Sequence, residues 1–163
     1  MLEPAVILLR LLQFAGAAIL FGSSSFLLYA LPRTGIGSGA VLTWPRRLLA
    51  WAAGGVLAAS LVGLLAQTCI LAGSIEAGMT LSSLTAVVTT MSIGPSALIR
   101  AGAAALALVV LAVRRPERVS CWLCAGLGTV ASASFAWMGH GAATAGAPGL
   151  LHLAADILHM LAA

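Results

Sequence analysis

The sequence predicts an all-α protein, a polytopic transmembrane helix bundle of four full spans plus the start of a fifth. Three observations predict it. Of 163 residues, 61% are hydrophobic and the mean hydropathy is +1.11. Only 7% are charged, against about 25% in a typical soluble domain. The charges gather in gaps between apolar runs, and each full run has roughly the 17 to 25 residues that cross a ~30 Å hydrocarbon core.

The first span runs from Ala5 to Leu31. Glu3 and Arg10 break the basic-then-apolar order of a signal peptide, so the segment reads as an uncleaved span. Arg10 stands about two turns inside it, with Gln13 on the same face. Its side chain has two placements open. It can snorkel outward near Glu3, or it can face the interior as a charge partner within the membrane, holding a carboxylate such as Asp156 ionised for metal binding.

The second span, Leu48 to Ala72, carries Ala50, Gly54 and Ala58 four residues apart, a spacing suited to close helix contact in lipid. A Ser/Thr-rich stretch, Thr80 to Pro95, separates it from the third. Leu81, Leu84, Val87, Val88 and Met91 recur there at three or four, which predicts an interfacial or bundle-capping helix ended by Gly94-Pro95. The third span is Ala97 to Val113. Arg100, just inside it, and Glu76 are read as interfacial anchors.

The fourth span is Val119 to Met138, and its Cys121-Trp-Leu-Cys124 puts two thiols on one helix face beside cytoplasmic arginines. They are either a Cu(I) exit site or two small packing residues. Cys69, alone near the other end of the second span, is read as inert. A fifth run starts at Leu150 and has only 14 residues, about 21 Å of helix, which ends inside the membrane. Residues 1–163 are therefore expected to form a single transmembrane bundle that is the N-terminal part of a longer membrane domain, or a truncated chain.

Arginine placement predicts orientation. The first gap holds Arg33, Arg46 and Arg47 and the third holds Arg114, Arg115 and Arg118, whereas the second and fourth gaps hold none. Positive gaps face the cytoplasm. The N-terminus, the segment Gly73 to Ser96 and the loop Gly139 to Gly149 then face the other side, the periplasm in a Gram-negative cell. The pI of about 9.8 is accounted for by these topology signals and the partner is the lipid bilayer, not nucleic acid.

Candidate chemistry is concentrated at the C-terminal end. In His152-Leu-Ala-Ala-Asp156-Ile-Leu-His159, Asp156 lies about 40° from His152 and His159 about 20° the other way, so the three share one helical stripe. Ionisable groups within a span point to function. His152 with Asp156, or Asp156 with His159, is a feasible half-site for one ion. His152 and His159 are two turns apart, and other helices, from further spans or a second copy, must complete each coordination sphere.

His140, in Met138-Gly-His140-Gly, waits in the outer loop. Histidine with methionine favours Cu(I), with Met138 and Met160 as auxiliary ligands beside Met79 and Met91 on the same side. Zn(II) would accept His and Asp equally well. The stripe can also serve as hydrogen-bonding polar groups that hold helices together. Transmembrane histidines also ligate haem b, which would make the protein an electron carrier, but the earlier spans lack histidine and a second axial ligand must come from elsewhere. A structural subunit with a polar packing stripe is a third reading. There is no Ser/His/Asp triad, phosphate loop or catalytic pair of acids, so an enzyme is not expected.

On these residues the chain resembles the copper resistance protein D (CopD) family of bacterial inner membranes. The likeness is carried by Gly139-His140-Gly141, by His152-x-x-x-Asp156-x-x-His159, by Thr90-x-x-x-Gly94 leading to Arg100, and by Leu9-Arg10-x-x-Gln13-Phe14 with Leu20-Phe21-Gly22. The resemblance covers most of the chain and corresponds to the family's N-terminal half. It implies copper handling across the inner membrane, beside a periplasmic copper-binding partner of the CopC type. It further implies His152, Asp156 and His159 as intramembrane copper stations, with His140 as the outermost ligand.

Overall fold

Every apolar run folds as a helix because hydrocarbon offers no partner for backbone N–H and C=O groups, which must be satisfied within the segment. The computed structural model describes residues 3–30, 43–114, 118–138 and 146–162. Its helices are α1 (Glu3–Ala30), α2 (Thr43–Ala72), α3 (Ile75–Gly78), α4 (Leu81–Thr90), α5 (Ile93–Val113), α6 (Arg118–Ala133) and α7 (Ala147–Ala162), with a 3₁₀ segment Ser134–Met138 continuing α6. No strand occurs among the described residues. Among the described residues four helical stretches, α1, α2, α5 and α6 with its 3₁₀ extension, are long and apolar enough to cross a membrane.

These four form a ring. α1 packs on α2 and α6, and α5 packs on the same two, so α1 and α5 face each other across one diagonal. Leu20, Leu49, Ala53, Ala107, Leu111 and Cys124 make one apolar cluster, and Ala17, Val56, Ala104, Ala131 and Phe135 make a second. Ile7, Leu11, Phe26, Trp51, Val62, Leu106 and Val109 stay exposed on the outside. A large apolar exterior of this kind is suited to lipid.

The start of α2, with Arg46 and Arg47, meets the last turn of α5 at one end of the ring. Arg46, at the start of α2, donates from Nε to the Leu111 carbonyl at 2.9 Å, in the last turn of α5. That carbonyl is one of the four a helix leaves without an internal acceptor role, so the guanidinium caps α5 and joins two helix ends.

Close approach of backbones comes from Gly16 and Gly128. A Cβ on Gly128 would lie 2.7 Å from the Phe21 nitrogen and 2.8 Å from its Cα. The Ala50, Gly54, Ala58 stripe is not such a contact: a Cβ on Gly54 would meet nothing within 4 Å. The buried face of α2 is instead Leu49, Ala52, Ala53, Val56, Ala59 and Ser60. Gly128→Ala is expected to destabilise the bundle by about 1 to 3 kcal/mol, because α1 must move away. Gly126→Ala, on the same helix with open space around it, is expected to be neutral or stabilising. Thermal melts in detergent check the pair.

At the other end, Ser74 and Thr80 cap α3 and α4, their hydroxyls accepting from the Ala77 N–H at 3.1 Å and the Ser83 N–H at 3.3 Å. The expected helix in the Ser/Thr-rich stretch is α4, lying on α2 and α5 through Val87 and Val88, with Leu81 and Met91 exposed. It ends at Thr90, before Gly94-Pro95. Those two residues fall in the first turn of α5, where proline forfeits no intrahelical bond, and Gly94 is needed because its Cβ would come 2.5 Å from the Val88 Cα.

Candidate functional site

α7 docks on α6 and on the 3₁₀ segment. Gly149 is buried, Leu153, Asp156, Ile157 and Met160 are half-buried, and His152 and His159 are exposed. The predicted stripe is thus split by the docking. Its carboxylate edge turns toward the bundle, and its two imidazoles lie along one flank of α7, about 10 Å apart along the axis. Met160 packs on the cluster of Ala17, Val56 and Phe135. His140 lies outside the described residues. Among the described residues, no three His, Cys, Asp or Glu side chains converge as a metal cluster. The two described histidines are both on α7, so neither faces the other across a haem.

Cys121 and Cys124 are free thiols, buried in the apolar cluster with Leu20, Leu27 and Leu49. Cys69 is buried and free as well, with a Sγ to Ile75 carbonyl separation of 3.8 Å. Met79 and Met91 are exposed at the far ends of α3 and α4.

The chief polar feature of the interior is a cluster around Arg100. The expectation that Arg100 anchors at the interface is overturned: it is 1% exposed, the largest side chain to be so fully buried. α5 starts at Ile93, earlier than the apolar run suggested, and this puts Arg100 two turns inside on the face shared by Ala97, Ala101, Ala104 and Ala107. Small residues on that face leave the room the guanidinium occupies. Glu76, by contrast, is exposed as expected.

The guanidinium makes three bonds to two other elements, α1 and the 3₁₀ segment. Nε donates to Ser134 Oγ at 3.0 Å, Nη1 donates to Gln13 Oε1 across the diagonal, and Nη2 donates to Met138 Sδ at 3.2 Å. Gln13 passes the connection on, its Nε2 donating to the Ala59 carbonyl at 2.8 Å. Gly63 makes room for that amide, since a Cβ there would come 2.8 Å from Gln13 Nε2. The Arg100 Cζ stands 3.8 Å above the centre of the Phe135 ring, which stacks on Phe14 at 3.9 Å. A desolvated cation over an aromatic face gains more than one in water.

The 3₁₀ segment brings Ser134, Phe135 and Met138 to this one side chain. Ser134 Oγ donates to the Ala131 carbonyl at 2.6 Å, a local bond that competes with the α-helical ladder where α6 tightens. Met138, predicted as an auxiliary metal ligand, has its sulfur engaged by Arg100 here. Arg10 is exposed and lines a cleft beside Arg100, Gln13, Ser60, Gln67 and Met138. Among the described residues no ion pair joins it to Asp156.

The model of the copper resistance protein D-like N-terminal domain matches residues 1–150, so the His152 to His159 stripe follows directly on the matched stretch. The chain is 34% identical over 159 residues, 97% of its length, to a protein named copper resistance protein D from Pseudomonas syringae pv. tomato, and covers 51% of that protein. It spans about half the length of this curated relative. No solved structure matches it. The ring of four membrane-length helices and these two matches agree, and the chain belongs to the copper resistance protein D-like family, as its N-terminal domain.

Proposed function

We propose that the protein takes copper from the periplasmic side of a bacterial inner membrane and passes it into or across that membrane. His152, Asp156 and His159 of α7 are the intramembrane ligands, with His140 as the outermost one. Family membership supports a copper-related role in a membrane. The observation that carries the site is the exposed histidine flank of α7. Two imidazoles facing hydrocarbon would be costly, so the flank calls for a covering element that can supply the missing ligands. The family's second half, or another copy of this chain, is suited to that place.

Cu(I) is the favoured cargo because the candidate donors combine imidazole with thioether, a soft donor. No covalent chemistry is required, so the protein works as a carrier and not as an enzyme. The arginine count supports a periplasmic N-terminus and a periplasmic entry for copper at His140, where a CopC-type donor would deliver it.

Elemental analysis of detergent-purified protein after anaerobic Cu(I) loading tests the reading. His152→Ala and His159→Ala are each expected to weaken copper retention at least about tenfold. Their melting temperatures should hardly change, because both side chains are exposed. Unchanged copper stoichiometry in both variants, at matched purity, would remove the stripe as the copper site.

A further inference from the structure

Arg100 has a charge that its neighbours do not balance. Its three bonded partners, Gln13, Ser134 and Met138, are all neutral. A guanidinium carries five N–H donors, so two remain without an acceptor. The charge that bears on it is that of Arg10, which has the same sign. The chain holds four acids: Glu3 and Glu76 are exposed, Asp156 is on α7 and Glu117 belongs to the connection after α5. Among the described residues none of them pairs with either arginine. Burying a cation without an opposite charge is costly, even where neutral acceptors surround it.

Ser60 is a second and independent sign of a missing partner. It is 1% exposed, its Oγ has no hydrogen-bond partner, and it lines the same cleft as Arg10, Arg100 and Gln67. A buried hydroxyl without a partner is uncommon and calls for a ligand or a water. The cleft offers about 20 Å³, the room of one water-sized particle. A water would satisfy the hydroxyl and leave the two positive charges unbalanced.

We propose that this cleft, between α1, α2 and α5, binds one halide-sized anion held by Arg10, Arg100, Ser60 and the Gln67 amide. The exposed Arg10 forms its rim and Arg100 its floor. The site is separate from the copper reading, since none of these four residues is a proposed copper ligand.

The test is a titration of the purified full chain in detergent. Sodium bromide replaces sodium gluconate at constant ionic strength while the melting temperature is followed by tryptophan fluorescence. Gluconate is the bulkier anion of the two. A saturable rise of several degrees is expected. Arg10→Gln should move the half-saturation point at least tenfold higher, with a melting temperature in gluconate no lower than that of the parent. Ser60→Ala should shift it in the same direction, and its hydroxyl has no protein bond to lose, so folding is preserved. Equal melting temperatures in gluconate and bromide would overturn the proposal, leaving the cleft to a water or to a carboxylate from elsewhere in the protein. A rise that does not saturate, or that both variants share unchanged, would overturn it as a general salt effect.

Discussion

Arg100→Ala is expected to lower the stability of the bundle by about 3 kcal/mol. Several losses combine. The Gln13 carbonyl oxygen, buried with its residue 4% exposed, would keep its desolvation and lose its donor. Ser134 Oγ would lose the Nε–H donor, and Phe135 would lose the cation on its face. A void the size of a guanidinium stem would open among alanines that cannot move in to fill it. Hydrogen bonds between transmembrane helices are individually modest, averaging about 0.6 kcal/mol, because the separated helices also find partners. The sum is large here because one side chain connects α1, α5 and the 3₁₀ segment across the ring diagonal. Arg100→Lys should recover less than half of the loss, since an ammonium cannot aim at Ser134, Gln13 and Met138 from one plane. Equilibrium unfolding of the two variants in mixed micelles, read by tryptophan fluorescence, decides between this and a merely interfacial arginine, for which both would be nearly silent.

The course of the chain was legible because lipid simplifies the problem. Hydrophobic length alone marks spans, and arginine-rich gaps mark which ends belong together, as the Arg46 to Leu111 bond shows. The amphipathic α4 was legible from its period. Depth within a span was not. Taking the third span to begin at Ala97 made Arg100 a residue of the first turn, whereas Ser92-Ile93-Gly94-Pro95 already starts the helix and carries it two turns deeper. A usable signal was present: Arg100 falls on the Ala97, Ala104, Ala107 face, and a charge among small residues faces a neighbouring helix, not lipid. Gln13 gave the same signal on α1, beside Gly16, Ala17 and Leu20. Pairing across the diagonal remained hidden, because neither residue's own helix specifies which partner it meets. The histidine stripe shows the reverse. Its geometry follows from helical period, yet which flank is covered depends on the docking of α7, to which the apolar Met160 contributes.

Gln13→Leu should cost about 3 kcal/mol, and adding Arg100→Met should give back at least about half of that loss. The single change removes one acceptor from a guanidinium that has none to spare, and it leaves the Ala59 carbonyl without the amide that caps it at 2.8 Å. The charge stays behind, buried between α1 and α5. Truncating one side of a desolvated polar pair exposes the cost of the other side. In the double variant the charge is gone, and a methionine of similar length fills its channel beside Met138 and over Phe135, where sulfur and ring contact favourably. A pair of apolar side chains in lipid-embedded packing carries no desolvation debt, so the two substitutions together should be less destabilising than Gln13→Leu alone. Independent sites would instead add. A double-mutant cycle with all four proteins unfolded under one set of conditions measures the difference. Additivity within about 0.5 kcal/mol would mean that Arg100 does not depend on Gln13, and that the guanidinium is balanced by something else at the centre of the bundle. Strong coupling, repeated in gluconate and in bromide, would also separate the contribution of the amide from that of an anion. Removing the acceptor should hurt most where no anion is present to take its place.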